Sequence, residues 1–141
     1  MAPRVVVDTN VLVAGLWSRS GASFHLLDLV RRKRVKPALS VPLVLEYEMV
    51  LKRRATDLEL TQGDVVAVLD FLCVVGHHQQ IHFLWRPSLR DPRDELVLEL
   101  AVAASCRQIV TFNRRDFVGS ERLGVEAVTP AAFLHSIGEA R

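Results

Sequence analysis

The sequence predicts an α/β fold in which helices cover both faces of a parallel sheet. Three observations predict it. Short β-branched or apolar runs alternate with stretches of helical spacing. The boundaries between them carry cap and proline signals. Half of the 141 residues are apolar, enough for one compact unit with its own core and little disordered tail. Such alternation implies a parallel sheet covered on both faces.

Val5-Val6-Val7 is a β-branched run that ends at Asp8, and from Asn10 the spacing turns helical through Leu12 and Leu16. Phe24, Leu27 and Val30 recur at helical intervals in a second helix, Phe24 to Arg34, whose last turn carries Arg31, Arg32, Lys33 and Arg34. A strand is expected at about Pro37 to Val41, with its proline at the start. Ser40 or Val41 then precedes Pro42, which opens a helix to about Arg54. Thr61 with Asp64 resembles a capping box leading into the helix Val65 to Val75, which Gly76 stops. Ile81 to Trp85 reads as a strand. Asp91-Pro92 is an N-cap followed by proline, opening a helix to about Cys106 that is apolar almost all round and therefore expected to be buried. Gln108 to Thr111 and Val125 to Val128 read as strands, and Thr129-Pro130 starts a last helix containing Ala132, Phe133 and Ile137.

The charge balance narrows the function classes. Eighteen basic against sixteen acidic residues leave a net charge of +2, too small for a diffuse polycation, so nucleic-acid binding would need local clusters. Cys73 and Cys106 lack paired spacing, which suggests two buried thiols and a reducing, cytoplasmic setting. The N-terminus enters a strand with no signal-peptide pattern, and nothing reaches the ~20 apolar residues of a membrane span.

The chemistry rests on carboxylates. In an open parallel sheet the crevice lies beyond the carboxyl ends of the strands, and Asp8 sits at that end of the first one, although it could simply cap the next helix. Asp94 shares a helical face with Val97, Leu98 and Ala101, so it either faces inward and wants a partner or serves as an acid in the first turn. Asp91 is read as a cap. Glu46 and Glu48 flank the apolar stripe of their helix on opposite sides, and periodicity does not choose between them. After the strand ending at Thr111, Asn113 offers an amide oxygen and Asp116 a charge; an Asx turn and a cap are the plainer readings. Several acids converging in a crevice need a cation among them, and hard oxygen donors select Mg2+ or Mn2+ over zinc, which points to phosphate chemistry.

Taken together, Val5-Val6-Val7-Asp8-Thr9-Asn10-Val11-Leu12, then Leu45-Glu46-Tyr47 before Val50-Leu51, then Asp91-Pro92-Arg93-Asp94 before Leu98 and Ala101, then Thr111-Phe112-Asn113 resemble the PIN-domain family. The chain looks especially like the short PIN toxins of bacterial and archaeal toxin-antitoxin pairs. The resemblance implies a three-layer α/β/α sandwich and cleavage of RNA to 5′-phosphate and 3′-hydroxyl ends. It matches Asp8, Glu46 and Asp94 to the acidic metal ligands, with Thr9 or Asn10 supporting the first, and thereby selects Glu46 over Glu48. Thr111 matches a threonine that shapes the catalytic centre. The fourth acidic position of many members falls at Asn113, an amide here, and Asp116 stands one step further from Thr111 than the usual acid of that loop. The resemblance thus implies hydrolysis of an RNA phosphodiester by cation-activated water, with an antitoxin as protein partner.

Other readings are weaker in the residues. An aspartyl-phosphate phosphatase would carry an acid where Asn10 stands, and no lysine follows a late strand. A binding module that keeps only the fold is the rival from another class, on the strength of Asn113. His77, His78 and His82 with Cys73 fall across a helix end, a loop and a strand, a spacing that prescribes no zinc site. Arg31 to Arg34 and Lys52-Arg53-Arg54 read as solvated helix ends, whereas Arg114 and Arg115, beside the proposed centre, suit phosphate oxygens. Trp17, Phe24 and Leu27 are expected in the core; exposed, they would serve a homodimer or an antitoxin segment.

Overall fold

A computed structural model describes residues 2–81, 89 and 91–139. Among them, five strands form one parallel sheet: β1 (Arg4–Val7), β2 (Lys36–Leu39), β3 (His77–His78), β4 (Gln108–Val110) and β5 (Glu126–Val128), in the order β3-β2-β1-β4-β5. Six helices flank the sheet in an α/β/α sandwich: α1 (Thr9–Trp17), α2 (Ala22–Arg31), α3 (Val41–Arg54), α4 (Gln62–Val75), α5 (Pro92–Ala103) and α6 (Pro130–Ser136). Among the described residues, no helix is long and apolar enough to cross a membrane.

β1 takes the centre because Val5, Val6 and Val7 are all buried, apolar toward both layers. It pairs with β2 (Val5 beside Pro37) and with β4 (Val7 beside Val110). The chain lays β2 and β3 on one side of β1, then crosses to place β4 and β5 on the other. At such a reversal the connections leave in opposite directions, and a crevice opens at the carboxyl ends of β1 and β4.

Local signals set the helix starts. The side chains of Asp8, Ser40, Thr61, Asp91 and Thr129 each accept a backbone N–H of the turn they precede, and Thr61 and Asp64 complete the expected capping box. Each such cap is worth about 1 kcal/mol. α5 packs on β1, β2 and β4 and buries Val97, Leu98, Leu100 and Ala101, while Val102 on its far side is exposed.

Several boundaries differ from expectation. α2 begins at Ala22 and ends at Arg31 rather than Arg34, because Lys33 is left-handed (φ 62°) and the Arg34 N–H turns back to the Leu29 carbonyl at 2.9 Å. α5 stops at Ala103, short of Cys106, by the same device: Ser105 has φ 58° and the Cys106 N–H reaches the Ala101 carbonyl at 2.8 Å. Gly76 does stop α4, yet with φ −82°; its lack of a side chain matters because a Cβ there would lie 2.7 Å from both the Leu72 carbonyl oxygen and Leu39 Cδ1. The third strand of the sheet is His77–His78, pairing with Ala38 and Leu39; Ile81 is in no strand, and the rest of the expected strand to Trp85 lies outside the described residues.

Trp17 and Phe24 are not core: they are 62% and 38% exposed, while Leu27 is half-buried against the core. The inward face of α2 is set by Leu26, Leu29 and Val30. Phe24, two residues before Leu26, is turned ~200° from it. Trp17 is the last residue of α1, beyond its buried Val11, Leu12 and Val13. Cys106 is buried, Cys73 only half-buried, and both are free thiols.

Candidate active site

Asp8 stands where β1 becomes α1, at the mouth of the crevice. Its Oδ1 accepts the Thr9 N–H at 2.9 Å and its Oδ2 the Thr111 hydroxyl at 2.7 Å, so its two oxygens are oriented by the first residue of α1 and by the residue after β4. Thr111, fully buried just past β4, also accepts the Asn113 N–H at 3.0 Å. One hydroxyl thereby links the carboxylate to the following loop. Glu46 on α3 is bound by the Thr9 hydroxyl. The next residue, Tyr47, is buried and donates its phenol to the Val7 carbonyl, tying α3 to the end of β1 and positioning Glu46 beside Asp8. Glu48 turns away and pairs with Lys52 at 3.3 Å.

Asp8, Thr9 and Glu46 line a cleft of about 550 Å³ whose walls also include Asn10, Asp94, Asn113 and Asp116. Five acids line it: Asp91 also caps α5, and the other four, Asp8, Glu46, Asp94 and Asp116, come together from four separate stretches of chain. Asp94 is half-buried in the first turn of α5, behind the Asp91 cap, whose carboxylate accepts the Arg93 N–H at 2.8 Å. Among the described residues, none of these four acids forms a salt bridge.

The electrostatics record this crowding. Burial raises the pKa of Asp8, and the Glu46 and Asp116 charges add to the rise, while the hydrogen bonds from Thr111 and the Thr9 N–H oppose it. Asp94 is pushed up to about 6 by burial, with Asp116, Asp91 and Asp8 adding and Arg93 opposing. Burial, then the Asp8 and Glu46 charges, push the Tyr47 phenol up, which keeps it a neutral donor.

The PIN domain family profile matches residues 4–115. The chain belongs to the PIN-domain family. Its fold is therefore of the nuclease type. Comparison with curated proteins finds no match.

In this PIN domain the cleft gathers Asp8, Asn10, Glu46, Asp94, Asn113 and Asp116, with Thr111 directly beneath. Arg114 and Arg115 do not line it; they begin a 3-10 turn (Arg114–Phe117) beside an adjoining groove that shares Phe112, Asn113 and Asp116 with the cleft. Sequence reasoning missed Arg54 and Arg93, which line the cleft, as do the rings of Trp17 and Phe112. Arg54 lies three residues past Leu51 on α3, the side chain that marks the helix's inward side, a weak signal that it projects near the site. Of the histidines, His77 bonds Gln79 and His78 the Cys73 carbonyl, and His82 lies outside the described residues.

The donor set fits a hard divalent cation in its chemistry, since it is all oxygen and its five acids outnumber the two arginines of the cleft, Arg54 and Arg93. Among the described residues, no three His, Cys, Asp or Glu side chains are already drawn into a tight cage. Mg2+ does not demand one, because it keeps several waters and uses one or two carboxylates directly.

Proposed function

We propose that this PIN domain is a Mg2+- or Mn2+-dependent endoribonuclease, acting as the cytoplasmic toxin of a toxin-antitoxin pair. The observation that carries the reading is the meeting of Asp8, Glu46, Asp94 and Asp116 in one cleft at the carboxyl ends of the central strands, without a salt bridge among the described residues to neutralise them. Asp8, Glu46 and Asp94 would hold the cation. When bound, it polarises a phosphoryl oxygen and makes water more acidic.

The chain's own residues prepare that chemistry. Thr111 and the Thr9 N–H hold the Asp8 carboxylate in one orientation, and the Thr9 hydroxyl steadies Glu46, so the two acids are positioned before any ligand arrives. Asn113 and Asp116 close the cleft on the β4 side, the amide lowering the negative charge an incoming phosphate meets. Asn10 faces the same space, and Arg114 and Arg115 steer the RNA backbone from the adjoining groove. A cognate antitoxin, and a second copy of the chain in a homodimer, are the protein partners of this reading.

A second reading, a binding module without cleavage, is favoured by one observation: Asn113 stands where many relatives of this kind carry an acid. Incubating the purified protein with transfer RNA, with and without Mg2+, decides between them. The nuclease reading expects Mg2+-dependent cleavage that is lost in Asp8→Asn and Glu46→Gln with the fold retained. RNA binding without cleavage at any Mg2+ or Mn2+ concentration would establish the module instead.

A further inference from the structure

Two large aromatic side chains stand open to solvent on the walls of the acid-lined cleft. Trp17, the last residue of α1, is 62% exposed, and Phe112, next after Thr111, is 50% exposed. Tryptophan is on average among the more buried residues, and leaving so large a ring in water forfeits the free energy its burial would give. Their positions are set by the same elements that set the acids. α1 starts at the Asp8 cap and carries Trp17 ~12 Å along its axis. The Phe112 N–H lies 3.5 Å from Asn10 Oδ1, holding its backbone against the first turn of α1.

We propose that Trp17 and Phe112 are substrate-positioning residues on which unpaired bases of the RNA strand stack as it crosses the cleft. This inference rests on the RNA reading above and deepens it. Arginines share the cleft with the rings: Arg54 and Arg93 both line it, each only loosely paired at its rim with Asp57 (3.4 Å) and Asp91 (3.7 Å). Exposed rings interleaved with cations match the two faces of a nucleic-acid strand, its bases and its phosphates. Other exposed apolar residues, Val41, Leu45 and Met49, follow one another along α3 and carry no such cations into the cleft. Stacking on a protein ring needs a base that is not already stacked in a duplex, so the rings discriminate against paired RNA while tolerating any base.

The test is binding of a fluorescein-labelled twelve-residue oligouridylate, followed by anisotropy in the Asp8→Asn background, where cleavage is blocked and one repelling charge is gone. Trp17→Ala and Phe112→Ala should each raise the Kd by about 5- to 150-fold, the range for removing one stacking partner. Trp17→Phe should restore most of the loss, and a blunt RNA duplex should bind without regard to either ring. In the otherwise wild-type protein, Trp17→Ala should raise KM for a single-stranded substrate more than it lowers kcat. The proposal is overturned if both alanine variants bind the oligouridylate within twofold of the parent, if the parent does not bind it, or if the duplex suffers equally. It is also overturned if Trp17→Ala changes only the molecular mass in solution, which would make this ring a protein-docking surface. Cleavage by the wild type is read separately, so stacking can fail while the nuclease stands, and the converse.

Discussion

Replacing Asp94 by asparagine removes a charge while keeping the size of the side chain, and the two accounts of Asp94 give opposite signs for its effect. As an acid in the first turn of α5, it would favour the helix macrodipole by about 0.3–1 kcal/mol, and Asn would destabilise the protein. As one of several crowded acids, its pKa is pushed up from 3.8 to about 6 by burial and then by Asp116, Asp91 and Asp8. A carboxyl whose folded-state pKa is raised favours the folded state in its protonated form. Relative to that form, stability falls as pH rises from about 4 through 6. The full shift corresponds to ~3 kcal/mol. Asp94 is only half-buried, and solvent screening brings this to about 1 kcal/mol at neutral pH. In chelator at pH 7.5, Asp94→Asn should therefore melt roughly 2–4 °C above the wild type by circular dichroism, and at pH 4 the two should coincide. Mg2+ should then raise the melting point of the wild type and leave the variant nearly unmoved. An Asp94→Asn protein that melts below the wild type at pH 7.5 in chelator would refute the reasoning and return Asp94 to a structural role.

Thr111→Val keeps the shape of a fully buried side chain but removes both the donor to Asp8 and the acceptor for Asn113; urea unfolding at neutral pH should show a loss of about 1.5–3 kcal/mol, and a loss under ~0.5 kcal/mol would mean the hydroxyl does not orient the carboxylate. Gly76→Ala places a Cβ against the Leu72 carbonyl and Leu39, and should cost about 1–3 kcal/mol in the same assay although the φ at this site suits alanine; an unchanged midpoint would show that α4 and β2 move apart freely.

The framework of the fold and two of the acids are readable in the chain because their signals are local. Val5-Val6-Val7 before Asp8 marks a strand end, and Asp91-Pro92 marks a helix start that orients Asp94 whatever surrounds it. Glu48 has a local partner, Lys52 one turn further along α3, but what places Glu46 in the site is the Thr9 hydroxyl, far away in sequence, and no periodicity contains that information. The phenol of Tyr47 hides in an apolar stripe for the same reason: its value lies in reaching Val7, far away in sequence. His77–His78 has little intrinsic strand character and pairs because β2 offers an open edge at Ala38 and Leu39. Trp17 and Phe24 have the composition of core residues, and only the crossing of α1 and α2 decides which side of each helix is inside. Arg54 and Arg93 enter the cleft through the packing of α3 against α5, of which the chain carries only the weak hint of Arg54's spacing from Leu51.

Calorimetric titration with Mn2+ at pH 5.5 and pH 7.5 addresses the joint action of the acids without any substrate. Binding should be stoichiometric, should tighten toward pH 7.5 with proton release from the raised carboxyls, and should weaken severely in Asp8→Asn and in Asp94→Asn. Equal affinity in the wild type and both variants, or no heat of binding at either pH, would contradict the claim that these side chains come together to hold a divalent ion.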